Sequence, residues 1–435
     1  MNKINWLENI SDDAALDVSH NFWKHLSEHA YPLSKGTMRI PISFEPYVLT
    51  QEKYHDLESQ VNLLISGAKK LAQKFYHDRE LEEVFAIDEQ ERALIYQSKN
   101  DPLVGIVRVD LFHGEQPKIV EINADFPDGF FMHDVTSSAI KNMISAHELH
   151  HASNTELFIE LLKSEYVKPN DHIFVGYNGE RQFRDEFALT KIKLNEAGWN
   201  NISVGAFEDL DYRNGIFFFE SKQIDVIRRG AELSKLREIP HLLDQLAKAQ
   251  QVSGLKIVNN FKMRLLGHKS LLAALHDERF AKYLTMEELT AIKMLVPLTR
   301  KLRLEDILVI LDEKDRWVLK PSDLAEGTDV VIGSSCAQEK WETLLRRAAE
   351  NPSKWIVQEK ITIPEHTFTL IDGSKTPGRT HVNAYYDLDP HIVLFKEFSK
   401  FGNMLVRFSS SEILNVMKGG GLTYAFYIKN TKSQQ

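Results

Sequence analysis

The chain has 435 residues, 43% of them hydrophobic and 26% charged, which is enough to bury a core and suggests two or three domains. A formal net charge of −9 argues against a nucleic-acid-binding surface, and the most apolar short run, residues 216–219, is too short to cross a membrane. The single cysteine, Cys336, excludes an intrachain disulfide. Because residues 1–20 also show no signal peptide, we expect a cytoplasmic protein.

Residues 1–165 are predicted to form helices followed by a β-hairpin. Apolar residues that step by three or four positions predict an amphipathic helix, and core packing is their simplest explanation. These residues are Leu57, Val61, Leu64, Ala68, Leu71 and Phe75.

The hairpin carries the most informative side chains of the chain. It consists of two apolar strands separated by a turn at residues 113–117. Alternate side chains of a strand share a face, so Glu121 and Asn123 lie on one face of the second strand, about 7 Å apart. Arg108 and Asp110 share a face of the first strand, and folding the hairpin puts Asp110 opposite or diagonal to Glu121. Three oxygen donors and one cation therefore converge, and such oxygens are the ligands that magnesium prefers.

A second motif lies at the end of this segment. His147, Glu148 and His151 match the zinc-protease pattern, in which two histidines on one face of a helix bind zinc and the glutamate acts as a base. No third ligand stands out, and the chain contains 17 histidines, which favours a coincidental match. A zinc metallopeptidase is therefore the weaker alternative.

Residues 166–255 are predicted to form a separate α/β unit. Short apolar strands are expected at 171–177, 202–204, 216–220 and 224–229, with a helix at 183–198. Alternation of strands and helices predicts a parallel sheet. The candidate carboxylate contacts for a substrate are Arg39, Arg181 and Arg184, although arginines are more often simply on the surface.

Residues 256–435 carry two lysines in positions suited to phosphate. Lys269 falls in the first turn of a predicted helix, where free backbone amides favour anions. Lys320 lies at the end of an apolar strand. For each of them a solvent-exposed lysine is the commoner explanation. The loop at Glu326, Gly327 and Thr328 could close over phosphates with its backbone amides, although its glycine content is low.

The last strands are expected to build an antiparallel sheet. The strand at 354–361 could be a hinge whose backbone pairs with an adenine edge, or a half-exposed strand. Further strands are predicted at 381–388 and 392–398, followed by Arg407 and the glycines at 419–421. The glycines could allow close approach to a ligand, or form a loop before the last strand.

Taken in order along the chain, these motifs resemble those of the circularly permuted ATP-grasp ligases, including the glutathionylspermidine synthase-like group. In ordinary ATP-grasp enzymes the Glu-x-Asn metal pair follows the lysines, whereas here Glu121 and Asn123 precede Lys269 and Lys320. The resemblance covers most of the chain from about Arg39 onward.

The resemblance implies a role for each motif. The expected magnesium ligands are Asp110, Glu121 and Asn123. The expected nucleotide contacts are Lys269 and Lys320 for the phosphates and Gln358, Glu359, Lys360 and Ile361 for the adenine and ribose. Arg108 is expected to stabilise the transferred phosphoryl group, with Arg407 as a second cation.

We therefore expect an α/β protein with α+β lobes. The resemblance implies an ATP-grasp fold in circularly permuted order with an additional Rossmann-like α/β domain, called pre-ATP-grasp. The expected domains are 1–165 with the metal-binding hairpin, 166–255 as the α/β substrate domain, and 256–435 as the nucleotide-binding lobes.

The function that the resemblance implies is an ATP- and Mg²⁺-dependent carboxylate–amine ligase. Its substrates would be small-molecule or peptide carboxylates and amines, with no nucleic acid or membrane partner. An ATP-grasp phosphotransferase and a nucleotide-binding protein without turnover stay open as alternatives.

Overall fold

The computed structural model describes residues 10–28, 40–127, 129–144, 148–168, 170–178, 184–323, 329–371, 379–416 and 419–429. The strands are β1 (Tyr47–Thr50), β2 (Gly105–His113), β3 (Pro117–Asn123), β4 (Leu149–His150), β5 (Ile173–Tyr177), β6 (Ile202–Ala206), β7 (Asp211–Arg213), β8 (Ile216–Phe219), β9 (Lys222–Gln223), β10 (Val226–Gly230), β11 (Lys256–Val258), β12 (Thr299–Lys301), β13 (Trp317–Pro321), β14 (Val331–Ile332), β15 (Trp355–Glu359), β16 (Glu365–Ile371), β17 (Arg379–Leu394), β18 (Ser399–Ser409) and β19 (Gly421–Ile428).

The α-helices lie between these strands and make the fold a mixed α/β one, as predicted. They are α1 (Asp12–Glu28), α2 (Gln51–Lys74), α3 (Arg79–Phe85), α4 (Glu89–Gln97), α5 (Phe130–Met143), α6 (Asn154–Leu161), α7 (Arg184–Glu196), α8 (Leu233–Leu236), α9 (Leu242–Val252), α10 (Arg264–Gly267), α11 (Ser270–His276), α12 (Met286–Leu295), α13 (Ile307–Asp312) and α14 (Gln338–Glu350). Among the described helices, none combines the length and apolar character needed to cross a membrane.

The largest sheet joins the hairpin to the end of the chain. Its order is β1-β19-β18-β17-β2-β3, with β16 paired to β17 and β4 to β19. All pairs are antiparallel except β1 with β19. The strands predicted at 381–388 and 392–398 are instead one strand, β17, whose register shifts between Pro390 and Ile392. A bulge lets a strand accommodate a proline that would otherwise interrupt its hydrogen bonds.

The second sheet is parallel, as predicted, with the order β11-β10-β5-β6. Two details differ from the sequence-based expectation. The apolar run that becomes β8 pairs antiparallel with β7 and β9 in a small separate sheet. The boundary expected at residue 255 falls directly before β11, which pairs with β10 in the parallel sheet. The division into three domains stays a prediction.

The third sheet is antiparallel, with the order β12-β15-β13-β14. It contains Lys320 on β13 and Gln358 on β15.

Helix α2 covers the largest sheet with the predicted apolar stripe. Its side chains Leu57, Val61, Leu64 and Leu71 are buried in one core with residues of β2, β3, β17 and β18. The helix begins at the N-cap Thr50, whose side chain accepts a hydrogen bond from the Lys53 N–H. The hairpin is thus held on a packed layer, which fixes the positions of its polar side chains.

A buried asparagine joins the parallel sheet to the hairpin. Asn259 follows β11, and its Oδ1 accepts a hydrogen bond from Ile106 N at 2.9 Å. Its Nδ2 donates to Ile106 O at 2.7 Å and to Ala124 O at 2.8 Å. Both ends of the hairpin are therefore attached to the strand that precedes Lys269.

We expect Gly105→Ala to lower the free energy of unfolding by about 2 kcal/mol or more. Gly105 has φ +151°, and a Cβ there would lie 2.3 Å from Asn259 Oδ1. Urea unfolding measures the change. The matched control is Gly114→Ala in the turn of the same hairpin, where a Cβ would meet nothing within 4 Å. Equal unfolding midpoints for the two variants would contradict the close contact with Asn259.

Candidate functional site

The hairpin has the register that its sequence predicts. Asp110 on β2 lies opposite Glu121 on β3, and Arg108 lies opposite Asn123. The register shifts directly after Asp110, before Leu111. Four of the predicted site residues are therefore neighbours on two adjacent strands.

Asp110 is the carboxylate with the most polar contacts in this group. Its Oδ1 accepts from Arg108 Nε at 3.1 Å and from Asn123 Nδ2 at 2.8 Å. Its Oδ2 accepts from Arg407 Nη2 at 2.9 Å. Burial alone would raise the pKa of Asp110, but the charges of Arg108 and Arg407 outweigh it and lower the pKa to about 2. Asp110 is therefore ionised at neutral pH.

Arg407 connects Asp110 to two further carboxylates that the sequence analysis missed. Its Nη2 lies 2.6 Å from Asp387 Oδ2, and its Nε lies 2.6 Å from Asp389 Oδ2. Burial raises the pKa of both aspartates, while Arg407 opposes that rise. The signal was present in the sequence, since acids at alternate positions of an apolar strand are the same pattern that singled out Glu121 and Asn123.

Glu121 is paired with Lys269. Its Oε1 lies 2.8 Å from Lys269 Nζ, and the lysine side chain is only 5% exposed. Lys269 directly precedes the short helix α11, and its backbone N–H donates to Ser322 O at 3.0 Å. The predicted phosphate lysine is therefore buried against a predicted metal ligand.

Lys320 is also buried, and its ammonium group is held by Gln358. Lys320 Nζ donates to Gln358 Oε1 at 2.6 Å and to Val120 O at 3.2 Å. Burial lowers the pKa of Lys320 to about 8, although the charge of Glu121 raises it. Gln358 Nε2 donates to Thr299 Oγ1 at 2.9 Å, so this side chain orients Lys320.

The remaining predicted hinge residues form contacts between strands and loops. Glu359 Oε1 accepts from Arg316 Nε at 3.3 Å, and the backbone N–H of Lys360 donates to Arg316 O at 2.7 Å. Lys360 Nζ lies 3.1 Å from Glu412 Oε1 and donates to Ser334 Oγ at 2.6 Å. Lys360 therefore joins the chain after β15 to the loop after β18, whereas Glu359 contacts the residue before β13.

The predicted site residues surround a cavity of about 380 Å³. Of the residues predicted to contact the metal, the phosphates or the nucleotide hinge, all except Lys269 line it, and Lys269 reaches the site through Glu121. The third sheet contributes apolar lining residues that include Val318 and Ile332, and the largest sheet contributes charged ones such as Arg108. The chain just beyond the carboxyl ends of β5 and β10 contributes Asn178 and Ala231. Ligands commonly bind at the carboxyl ends of parallel strands.

The oxygen donors of Asp110, Glu121 and Asn123 suit Mg²⁺. Two carboxylates and an amide are hard ligands, and the low pKa of Asp110 keeps it in the form that binds metal. Among the described residues, no group of three or more His, Cys, Asp and Glu side chains could hold a metal ion. The predicted trio contains only two such residues, so its third ligand must be the amide. A metal ion would compete with Arg108, Arg407 and Lys269 for these oxygens.

The helix required by the zinc motif is not formed. Leu149 and His150 instead form β4, which pairs with β19. His151 Nδ1 lies 3.0 Å from Ala152 O, and its ring packs on Phe426. His147 lies outside the described residues. The described residues 148–151 therefore do not form the helix that the zinc-metallopeptidase alternative requires.

Several other predictions fall outside the described residues. They concern Arg39, Arg181, the side chain of Arg184, and the loop at 326–328. Within the described part of the glycine run, Gly421 begins β19 and packs against the Phe408 ring, where a Cβ would lie 2.3 Å from a ring carbon. The lack of a side chain at Gly421 lets β19 lie close to β18 at Phe408.

Comparisons with known proteins support the fold. No protein-family model and no curated protein sequence matches the chain. Among solved structures, it is similar to a glutathione synthetase-like effector from Globodera pallida in its apo form, with a TM-score of 0.67 and 11% identity over 96% of this chain and 98% of that one. A candidate gamma-glutamylcysteine synthetase from Methylobacillus flagellatus has a TM-score of 0.40 and 11% identity over 83% of this chain and 87% of that one, which is too low to support an argument. The chain therefore has the fold of a glutathione synthetase-like protein.

Proposed function

We propose that the protein is an ATP- and Mg²⁺-dependent carboxylate–amine ligase. One observation supports this most: a single cavity brings the carboxylates of Asp110 and Glu121 together with the cations of Arg108, Arg407 and Lys320. Opposed charges of this kind suit a metal–nucleotide complex, whose phosphates need cations and whose metal needs carboxylates.

The architecture that we propose is an ATP-grasp fold in circularly permuted order, with the parallel sheet as a pre-ATP-grasp substrate domain. The nucleotide would lie between the third sheet and the hairpin, with its adenine against the apolar residues Val318, Ile332 and Ile361. The acceptor would enter from the carboxyl ends of β5 and β10. The fold shared with a glutathione synthetase-like protein supports this arrangement.

The reaction begins when an oxygen of the substrate carboxylate attacks the γ-phosphorus of ATP and the bond to ADP breaks. The substrate is then an acyl phosphate. A neutral amine attacks its carbonyl carbon, phosphate leaves, and the amine nitrogen loses one proton. Phosphoryl transfer needs positioned charge more than covalent help, so the cations of the cavity carry most of the catalytic effect.

We assign each residue a role in this reaction from its contacts. Lys320, oriented by Gln358, would bind phosphate oxygens, and Arg108 would stabilise charge on the transferred group. Arg407 would hold Asp110 in place. Asp110, Glu121 and Asn123 would hold Mg²⁺, which neutralises phosphate charge when bound.

The test is a screen of carboxylate and amine pools for ADP release. A ligase releases ADP over many turnovers only when a matching carboxylate and amine are both present, because without the amine the acyl phosphate is not consumed. The mass of the product then equals that of the carboxylate and amine joined by an amide bond. Repeated turnover to ADP with a carboxylate alone, and no amide, would instead indicate a phosphotransferase. The screen also addresses the proposed partners, namely small-molecule or peptide carboxylates and amines.

Nucleotide affinity should fall as pH rises through about 8. Lys320 binds phosphate as an ammonium ion, and because burial lowers its pKa to about 8, it loses its charge above that pH. Calorimetric titration with ATP and Mg²⁺ between pH 6.5 and 9.5 measures this. In Lys320→Arg the side chain stays charged throughout, so the loss near pH 8 should disappear. If the ATP affinity of Lys320→Arg still falls near pH 8, a group other than Lys320 causes the pH dependence.

A second candidate is a nucleotide-binding protein without turnover. The observation in its favour is that Asp110 and Glu121 are already paired with Arg108, Arg407 and Lys269. If these pairs persist in the nucleotide complex, they would exclude the metal. Stabilisation by ATP that does not depend on Mg²⁺, without ADP release, would support this candidate.

A further inference from the structure

Lys301 connects three separate segments of the chain near the proposed nucleotide site. It is the last residue of β12, and its Nζ donates to Ser270 Oγ at 2.8 Å and to Ser322 Oγ at 2.9 Å. It also donates to the backbone oxygen of Ser353 at 2.5 Å. We call these four residues the Lys301 junction. An ammonium group has three N–H donors, and here three oxygens accept from it.

The segments that meet at this junction lead to the two proposed phosphate lysines. Ser270 directly follows Lys269, and Ser322 follows Lys320 by two residues. The backbone N–H of Lys269 donates to Ser322 O at 3.0 Å, so the two segments also touch directly. The positions of both lysines therefore depend on the same junction.

The charges around Lys301 are mostly positive. Burial and the charge of Lys354 lower the pKa of Lys301 to about 7, although Asp323 raises it. Burial and several cations, Lys301 among them, hold the pKa of His268 well below its usual value. The three acceptors of Lys301 are neutral oxygens, so its charge is not needed to neutralise a contacting carboxylate.

We propose that Lys301 is a positioning residue that sets the spacing between Lys269 and Lys320 for binding the phosphates of a nucleotide. This inference rests on the proposed function. A lysine that served only packing would need neither three hydrogen bonds nor contacts next to both phosphate lysines. Removing the ammonium group frees two serine hydroxyls and uncouples the segments that they belong to.

The direct test is the affinity of the full-length protein for ATP with Mg²⁺, measured by calorimetric titration at pH 6.5. We expect Lys301→Met to raise the Kd about 10-fold, a usual effect of removing a residue that orients a binding group. Lys301→Arg should restore most of the affinity. The control is Lys340→Met, an exposed lysine on α14, which should bind ATP like the wild type. Thermal unfolding without nucleotide verifies that each variant is folded.

The pH dependence separates positioning from packing. Below about pH 7 the ammonium donates to all three oxygens, and above it a neutral amine has only two hydrogens to donate. The ratio of the Kd of the wild type to that of Lys301→Arg should therefore rise between pH 6 and 8. Lys301 is not among the charges that shift the pKa of Lys320, so the titration of Lys320 should be the same in both proteins and cancel from this ratio.

The outcomes are distinct. A folded Lys301→Met with wild-type Kd overturns the inference, and so does a ratio that stays constant with pH. If Lys301→Met does not fold, Ser322→Ala decides: a raised Kd supports the inference, and an unchanged Kd overturns it. A wild type that does not bind ATP contradicts the proposed function itself.

Discussion

Glu121→Ala should lower the rate of ATP-dependent ligation about 100-fold or more. The substitution removes a proposed magnesium ligand and the partner of the buried Lys269. Because a buried ammonium without its partner also destabilises the fold, Glu121→Gln is the sharper variant. It keeps an oxygen acceptor near Lys269 but removes the negative charge.

The measurement is the rate of ADP release with the substrate pair found in the pool screen. Glu115→Ala, an exposed glutamate in the turn of the same hairpin, is the matched control and should retain the wild-type rate. A Glu121→Gln protein with full activity would mean that no metal ion in the reaction depends on this carboxylate.

Arg407→Met should lower the free energy of unfolding by about 3–5 kcal/mol, the usual cost of removing one partner from a buried ion-pair network. Three buried carboxylates, Asp110, Asp387 and Asp389, share this guanidinium. Urea unfolding at pH 7 measures the loss. Arg346→Met on α14 removes an arginine that is 79% exposed and should leave the midpoint almost unchanged.

The effect of Arg407→Met should depend on pH in a defined direction. The folded-state pKa of Asp387 and Asp389 is already raised by burial, so the folded protein binds protons more readily than the unfolded chain. Loss of Arg407 raises these values further, and such groups contribute stability at low pH that is lost as pH rises. The variant should therefore lose more stability at pH 8 than at pH 5. Equal losses of stability at both pH values would contradict the raised pKa of Asp387 and Asp389.

The parts of the site that sequence predicted best are local in the chain. The hairpin follows from alternating polar and apolar residues on both sides of a short turn. The sequence could therefore predict that Asp110 lies near Glu121 on the adjacent strand. The pairing of Arg407 with Asp387 and Asp389 depends on the register between β17 and β18, which no local pattern determines. The role of Gln358 likewise depends on the pairing of β13 with β15, which brings it beside Lys320.

The wrong predictions have a common physical cause. The zinc-metallopeptidase alternative required a helix, but Leu149 and His150 pair with β19 as a strand. Two strands were predicted at 381–388 and 392–398, but a bulge keeps β17 continuous. In each case tertiary hydrogen bonding overrides the local preference.

The stoichiometry of products tests the proposed ligase most directly. ADP, phosphate and amide should be counted in the same reaction of the wild-type protein with ATP, Mg²⁺, a carboxylate and an amine. We expect the three to form in equal amounts, and omitting Mg²⁺ should stop the formation of all of them. ADP and phosphate formed without amide, or ATP bound with no turnover for any substrate pair, would contradict it.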